Sequence, residues 1–591
     1  MSFTSSPGTL PAGEDAEQDH ASTRKGGNEH SSQSDVTPPA RAFLPSHNSS
    51  SRTLVVPETA NQSHAAVWTT ASSTVVGDGD DDDDDDDDEV AVPSKKGTRA
   101  YRYLRWNFGS VYRRIFTLAF LGNVAALVLV VVRSALGKGP SSRLTHGTCA
   151  TAVSANILAA LVIRNEHTVN AMFRLFVLLP PSGTPLAVRR ALAKVYSYGG
   201  VHSGCGVASL FWFVAFLVVV TREFADPGGG AVAVVRAYIL LDGYLICALL
   251  AAIIGFAHPR ARVLLHNWFE GTHRFLGWSV ILLFWALVMM LAEDGSGGAG
   301  AAPYAAALVA TPSFWMLIAI TLLVAYPWTR LRLRDVEAEP MSDHVVKLNF
   351  DYADVHYGQA VRLTDAPLRE THAFAVIPNP AAAAAAAGPP RTADDAEKAL
   401  PAGAGAAGLS NAGKRGFSVL VSNAGDWTDK IIRNPPKKMW TRGVPQYGVL
   451  RVAGLFEPCI VVATGSGIGP CLSLFVQKPD HPVRIVWSTQ RPAETYGQAV
   501  VDTLYRADPD AVIIDTNKTG RPDLVAITYR IWEASRRRAL GLAQQGEGGA
   551  AARKTGPCEA VVVISNQKVT RKVVYGLESR GIPAYGAIFD S

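Results

Sequence analysis

Residues 461–475 read VVATGSGIGPCLSLF, and the chemistry they suggest belongs to the backbone. Three glycines at alternate positions behind an apolar run leave amides bare, and a helix opening just after them adds positive potential. Thr464, Gly465, Ser466, Gly467 and Gly469 can therefore present N–H groups to a pyrophosphate, with Pro470 suited to the helix's first turn. A second set of residues could hold iron. His202 in GGVHSGCG and His273 in GTHRFLGW each open an apolar run from the same side, so bis-histidine ligation of a haem iron is one reading. Gly204 and Gly206 would leave room for a porphyrin; the competing reading is a pair of histidines wetted at helix ends. A two-haem wire needs further histidines four turns on, where Ala215, Phe216, Ala286 and Leu287 stand, so at most one haem b is expected.

The elements that must position these residues fall into blocks. Residues 1–98 hold 18 acidic and 6 basic side chains, including an unbroken Asp80–Asp88 run, and read as a disordered acidic tail. No secretory signal is read at the start, where the residues are polar. Six apolar runs follow, with cores at 113–134, 147–163, 202–221, 237–257, 274–292 and 305–326, each near the roughly 20 residues that cross a hydrocarbon layer. The second is closed early by Arg164 and is read as continuing in an interfacial helix. Arg and Lys crowd the stretch before the first run, the second and fourth loops and the end of the sixth run. The fifth loop, AEDGSGGAGAAP, has none. Both termini of this six-span domain, residues 99–335, are thus expected to face the cytoplasm. The specific membrane is not readable, the plasma membrane being favoured. The six cysteines, at 149, 205, 247, 459, 471 and 558, show no ligand spacing.

The cytoplasmic half changes period. VVKLNFDYADVHYGQAVRLTD alternates, HAFAVIP reads as a strand, and GFSVLVSNAGDWTDKII as strand, glycine turn and helix, so residues 336–450 are expected to form a small antiparallel β-barrel interrupted by a low-complexity insert at 379–413. From 451 to 591, CIVVAT, VRIVWST, AVIIDT and AVVVIS alternate with helix-like stretches, which predicts a parallel-sheet α/β domain that binds ligand beyond the strands' carboxyl ends.

With TGSGIGP, GRPD at 520–523 and Phe589 near the end, this half resembles the ferredoxin-reductase superfamily, its ferric reductases and NADPH oxidases included. RNEHTVNAMF, HSGCGVASLFW, THRFLGW, HAFAVIP, GDWTDKI, ATGSGIGP and TGRPD make residues 100–591 resemble fungal integral membrane proteins of the TmpA type. The resemblance implies an FAD domain in the barrel and an NAD(P)H domain after it. His372 and Phe374 would lie on the flavin strand, and Gly425 with Thr428 would hold the FAD pyrophosphate. Trp487, Ser488 and Arg491 would lie near the adenosine ribose, and Phe589 would cover the isoalloxazine. Ala373 and Ala375 depart from the ferric-reductase pattern, which has a proline and a hydroxyl there, and Asn566 and Gln567 follow the last apolar run without the cysteine often found near the nicotinamide.

Two functions follow as expectations. One is a membrane-anchored flavoprotein oxidoreductase that passes electrons from cytoplasmic NAD(P)H through FAD to an acceptor the sequence does not name. The other is a redox-sensing or developmental regulatory membrane protein whose reductase module is degenerate. The expected partners are the lipid bilayer and dinucleotide cofactors, with no nucleic acid and no protein partner that can be named.

Overall fold

A computed structural model describes residues 92–137, 144–225, 230–296, 303–379, 416–544 and 556–588. Nearly all of the acidic tail, nearly all of the low-complexity insert, and Phe589 lie outside the described residues.

Eleven helices come first among the described residues. α1 spans Arg99–Asn107, α2 Val111–Ala135, α3 His146–Val162, α4 Glu166–Val177, α5 Leu186–Leu192, α6 Gly199–Glu223, α7 Ala231–Ala257, α8 Pro259–Leu264, α9 His266–Ser296, α10 Tyr304–Ala310 and α11 Pro312–Thr329. Polar caps set several starts. Ser110 accepts the Arg113 N–H at α2, Thr145 the Thr148 N–H at α3, and Asn165 the His167 N–H at α4. Five helical stretches are long and apolar enough to cross a bilayer. α3 and α4 would make a sixth only as a pair bent by 62°. α3 alone has 17 residues, about 26 Å of helix.

The sixth expected run is two helices. Proline restricts its predecessor to extended backbone, and Thr311 sits at φ −86°, ψ 116° between α10 and Pro312, the first residue of α11. α6 packs between α2 and α3. Gly200 and Gly204 make that approach close: a Cβ on Gly200 would overlap the Tyr112 carbonyl oxygen, and one on Gly204 would lie 2.8 Å from that of Phe116. Gly204 is thus committed to helix packing rather than to a ligand space, whereas nothing lies within 4 Å of a Cβ on Gly206.

The half that follows α11 contains two sheets. β1 (Arg332–Asp335), β2 (Glu337–Ser342), β3 (Val345–Phe350), β4 (Gln359–Thr364), β5 (His372–Pro378), β6 (Phe417–Ser422) and β7 (Lys438–Tyr447) form an antiparallel sheet in the order β1-β7-β4-β5-β6-β3-β2. It wraps a core of Val346, Leu348, Val361, Val376, Val419 and Val421. A helix at Asp426–Arg433 follows β6. β8 (Cys459–Thr464), β9 (Val483–Thr489), β10 (Val512–Asp515), β11 (Ala560–Ile564) and β12 (Ala584–Gly586) form a parallel sheet in the order β10-β9-β8-β11-β12. The chain leaves β8 towards β9 and returns on its other side as β11, so a switch point lies beyond the carboxyl ends of those two strands.

α4 departs from the expectation of an interfacial helix. Its Val169 and Phe173, both fully buried, join one core with Tyr357 and Tyr447 of the antiparallel half and Val461 and Leu472 of the parallel half. Protein covers that side of α4, while Leu175 on it and Leu178 and Leu179 just beyond it stay exposed.

Candidate functional site

The switch point is where the glycine loop lies. Thr464 and Ser565, one residue past β11, hydrogen-bond through their hydroxyls across the gap between β8 and β11. Gly465–Gly467 form a single 3-10 turn, and the helix Ile468–Gln477 starts directly after it. Two of the glycines have a reason in the backbone. Gly465 sits at φ +49°, a left-handed region glycine enters without strain. A Cβ on Gly467 would overlap the Ile564 carbonyl oxygen. Gly469 is buried, with Leu420 of β6 3.7 Å from where its Cβ would stand, so the loop abuts the antiparallel sheet. Ser466 is exposed and Pro470 half-buried. Ser473 ties the halves further: its hydroxyl donates to the Pro470 carbonyl at 2.6 Å and accepts the Gly358 N–H at 3.0 Å.

The three residues assigned to the ribose divide. Trp487 is fully buried and donates its indole N–H to the Gly465 carbonyl at 3.0 Å, with Tyr496 edge-on at 5.3 Å. It braces the loop from behind instead of lining it. Burial pushes the Tyr496 hydroxyl up to about 12, with Thr489 opposing. Ser488 is buried between the neighbouring strands β8 and β10. Arg491 alone reaches solvent: it adopts φ 41°, its N–H donates to Asp515 at 2.9 Å, and its guanidinium meets Glu494 at 3.3 Å.

On the antiparallel sheet, His372 and Phe374 share a face of β5 and both stack on Trp427, at 4.2 and 5.8 Å between centroids. Trp427 belongs to the helix after Gly425, so one ring joins the His372–Phe374 pair to the Gly425 turn. There the Thr428 hydroxyl accepts the Ala424 and Gly425 N–H groups at 2.8 and 3.0 Å and donates to the Gly425 carbonyl. Gly425 is exposed, and nothing lies within 4 Å of a Cβ placed on it.

In the bundle, the His202 and His273 rings lie 6.2 Å apart, tilted by 56°. Two imidazoles ligating one metal from opposite sides would have centroids about 6 Å apart. His202 Nδ1 is 2.9 Å from the Ala160 carbonyl, which leaves Nε2 as its free nitrogen. Among the described residues no group of three or more metal-ligating side chains occurs.

Sequence reasoning missed the clasp that joins bundle and module. Glu166, 3% exposed, accepts from Arg362 of β4 at 2.7 Å and from the Val444 N–H of β7 at 2.8 Å. Its carboxylate fills the space over Gly443, which adopts φ +73°. The Asn170 amide spans the Pro445 carbonyl and the Tyr447 N–H, at 2.8 and 2.9 Å. Arg189 makes a two-pronged pair with Glu559 and donates to the Leu455 carbonyl at 2.7 Å. Lys194 meets Glu578 at 2.9 Å; against the pull of burial, Tyr196 and Glu578 hold its ammonium above the ordinary lysine range. Glu166 and Asn170, four apart beside the apolar Val169 and Phe173, were the available signal: two polar groups bordering an amphipathic stripe ask for protein partners.

Two fungal proteins of Coprinopsis cinerea are similar over most of the chain. "Adenylate-forming reductase 03009" is 40% identical over 499 residues, 84% of this chain and 42% of that protein. "Adenylate-forming reductase 06235" is 38% identical over 504 residues, 85% and 42% respectively. The chain thus spans less than half the length of these curated relatives. A family model described as the C-terminal domain of adenylate-forming reductase 03009 matches residues 449–542 and 549–591, the parallel-sheet half. Among solved structures, a flavohemoglobin from Malassezia yamatoensis with bound FAD and heme aligns at TM-score 0.30 and 14% identity, covering 64% of this chain and 92% of that one. A ferredoxin-NADP+ reductase mutant from Plasmodium falciparum with 2'P-AMP aligns at TM-score 0.27 and 11% identity, covering 44% and 95%. The TmpA-type and ferric-reductase likeness expected from the motifs is therefore corrected. Relatives matched over more than four fifths of the chain carry a different family name, and the glycine loop and flavin-type strand are too short and too widely shared to separate such families.

Proposed function

We propose that the chain is a membrane-anchored oxidoreductase in which the Gly465–Gly469 loop takes the diphosphate of NAD(P)H and the antiparallel sheet carries FAD. The observation that carries this reading is the loop's place: at the switch point of a parallel sheet, bracketed by Thr464 and Ser565, and against β6 of the neighbouring sheet. The word "reductase" in the relatives' names agrees with it. Gly425 and Thr428 would hold the flavin diphosphate at the exposed start of the helix Asp426–Arg433, where open space at Gly425 admits a ligand. His372 and Phe374, held by Trp427, would position the ring system. FAD, when bound, supplies the hydride acceptor. This chain's residues bind, orient and exclude water, since hydride transfer asks for alignment rather than a side-chain acid. Arg491 is the residue offered to a 2′-phosphate, at the cost of its exposed pairing with Glu494. The His202–His273 pair is proposed as the ligand set for one haem b. The bundle would anchor the module at the cytoplasmic face, the plasma membrane favoured.

A second reading is a dinucleotide-binding regulator with little turnover. Trp427 favours it by covering ring faces of both His372 and Phe374, beside Ala373 and Ala375, which offer no hydroxyl. One experiment separates the two: an absorption spectrum of the full chain purified in detergent, followed by anaerobic NADPH. A flavin band that bleaches supports the oxidoreductase. NADPH binding without any flavin supports the regulator, and absence of both overturns each.

A further inference from the structure

β5 is entered through a turn, residues 365–371, that its own packing does not hold. Leu368 within it adopts φ 67°, a region that strains a bulky side chain, and stands 53% exposed, so no burial offsets the strain. What holds the turn comes from α9. Arg274, its side chain 8% exposed, donates to the Leu368 and Arg369 carbonyls at 2.8 and 3.1 Å and also meets Glu270, one helical turn before it. Glu270 accepts in addition from the Thr371 hydroxyl at 3.2 Å and the Thr371 N–H at 3.4 Å. The planar fork of the guanidinium is thus shared among two carbonyls and a carboxylate, and one charged pair fixes residues 368–371.

The near end of the same turn is tied as well. Asp365 pairs with Lys430 at 2.7 Å, on the helix that carries Trp427 and Thr428. The turn is therefore gripped by the bundle at one end and by the Gly425 helix at the other. Its chain neighbours give that grip a use beyond folding. His273 is bonded to Arg274 along the chain, and His372 follows Thr371 directly. The side chain proposed as an iron ligand and the one proposed for the flavin strand each stand one residue from a partner in this contact. Electron transfer weakens steeply with distance, so a rigid tie placed here sets a separation that matters.

We infer that Glu270 and Arg274 are positioning residues that hold the turn before His372 against the His273 end of the bundle, and so set the gap an electron crosses from flavin to iron. The inference rests on the FAD and haem placements proposed above. One readout is independent of any cofactor: amide hydrogen exchange of the full chain as purified in detergent. Glu270→Ala should speed exchange across residues 366–371 about tenfold. Glu270→Gln, whose amide oxygen still accepts from Thr371, should stay within about threefold of the native rate. The other readout is anaerobic mixing with NADPH. Two electrons enter the flavin with the hydride; one goes on to turn ferric iron ferrous, and the other stays on the flavin. Glu270→Ala should slow growth of the ferrous band about tenfold and Thr371→Val about threefold, with bleaching of the flavin band unchanged in both. Thr371→Val decides the matter if Glu270→Ala does not fold, because it removes a single hydroxyl. Unchanged exchange in Glu270→Ala overturns the inference. So does an onward step at the native rate, even where exchange has quickened. Flavin bleaching slowed as much as the onward step marks a general structural role and overturns it too. These three results leave the cofactor placements standing. A native chain whose flavin bleaches but which shows no Soret band overturns the haem placement and the inference together.

Discussion

Two glycine turns precede two helices in the half that follows the bundle, and they are not alike. In Gly465–Gly469 two of the three glycines answer a constraint, a left-handed φ at Gly465 and the Ile564 carbonyl at Gly467, while Leu420 stands only at ordinary contact distance from Gly469. At Gly425 the backbone is extended, φ 164°, and no atom lies near a prospective Cβ. The first turn is glycine because the protein's own backbone comes close. The second is glycine with nothing of the protein to require it, so any requirement there comes from a ligand.

The sharpest way to break this contrast is Gly467→Ala. With a backbone carbonyl in the way, the loop must shift, and a loss of about 3 kcal/mol is expected in a urea or thermal melt. A neutral result would mean that the loop relaxes freely and is not a fixed cradle. Ser466→Asp comes next. Its side chain is exposed, so the fold should stand, yet a carboxylate beside a bound diphosphate should cost about 2 kcal/mol, roughly thirtyfold in the NADPH Kd by calorimetry. Unchanged affinity would remove the diphosphate from this loop. Thr428→Ala frees two amides that its hydroxyl now satisfies, and about 1 kcal/mol of stability should go with them. Gly425→Ala should move stability by less than about 0.5 kcal/mol. Its signature should instead be lowered flavin content in the purified protein. A variant destabilised like Gly467→Ala would erase the difference between the two turns.

How much of this was readable in advance depends on what each segment touches. β5, β6, β8, β9 and β11 were legible because continuous or alternating apolar runs bounded by Gly, Pro or polar residues have few other uses. β12 was not: three residues after Pro583 carry no period, and it exists because β11 offers an edge. The glycine loop announced itself through spacing, but spacing could not tell that Trp487 faces inward, since Val486 before it is equally apolar. α4 misled for a related reason. An amphipathic stripe records that one side avoids water, and lipid and protein satisfy it equally, so only the partners of Glu166 and Asn170 decide. The bend at Thr311 was missed in reading 305–326 as one run, although Pro312 carried its signal.

The seating of Val169 and Phe173 has a practical meaning. A fragment trimmed to begin after the last apolar helix would keep both sheets intact and still be missing a wedge from the middle of its own interior. Such a piece would greet water with a greasy notch beside Tyr447, and would clump or need that short helix returned in trans. Independence of the two-sheet half, so natural to assume from a linear drawing of domains, is what this architecture denies.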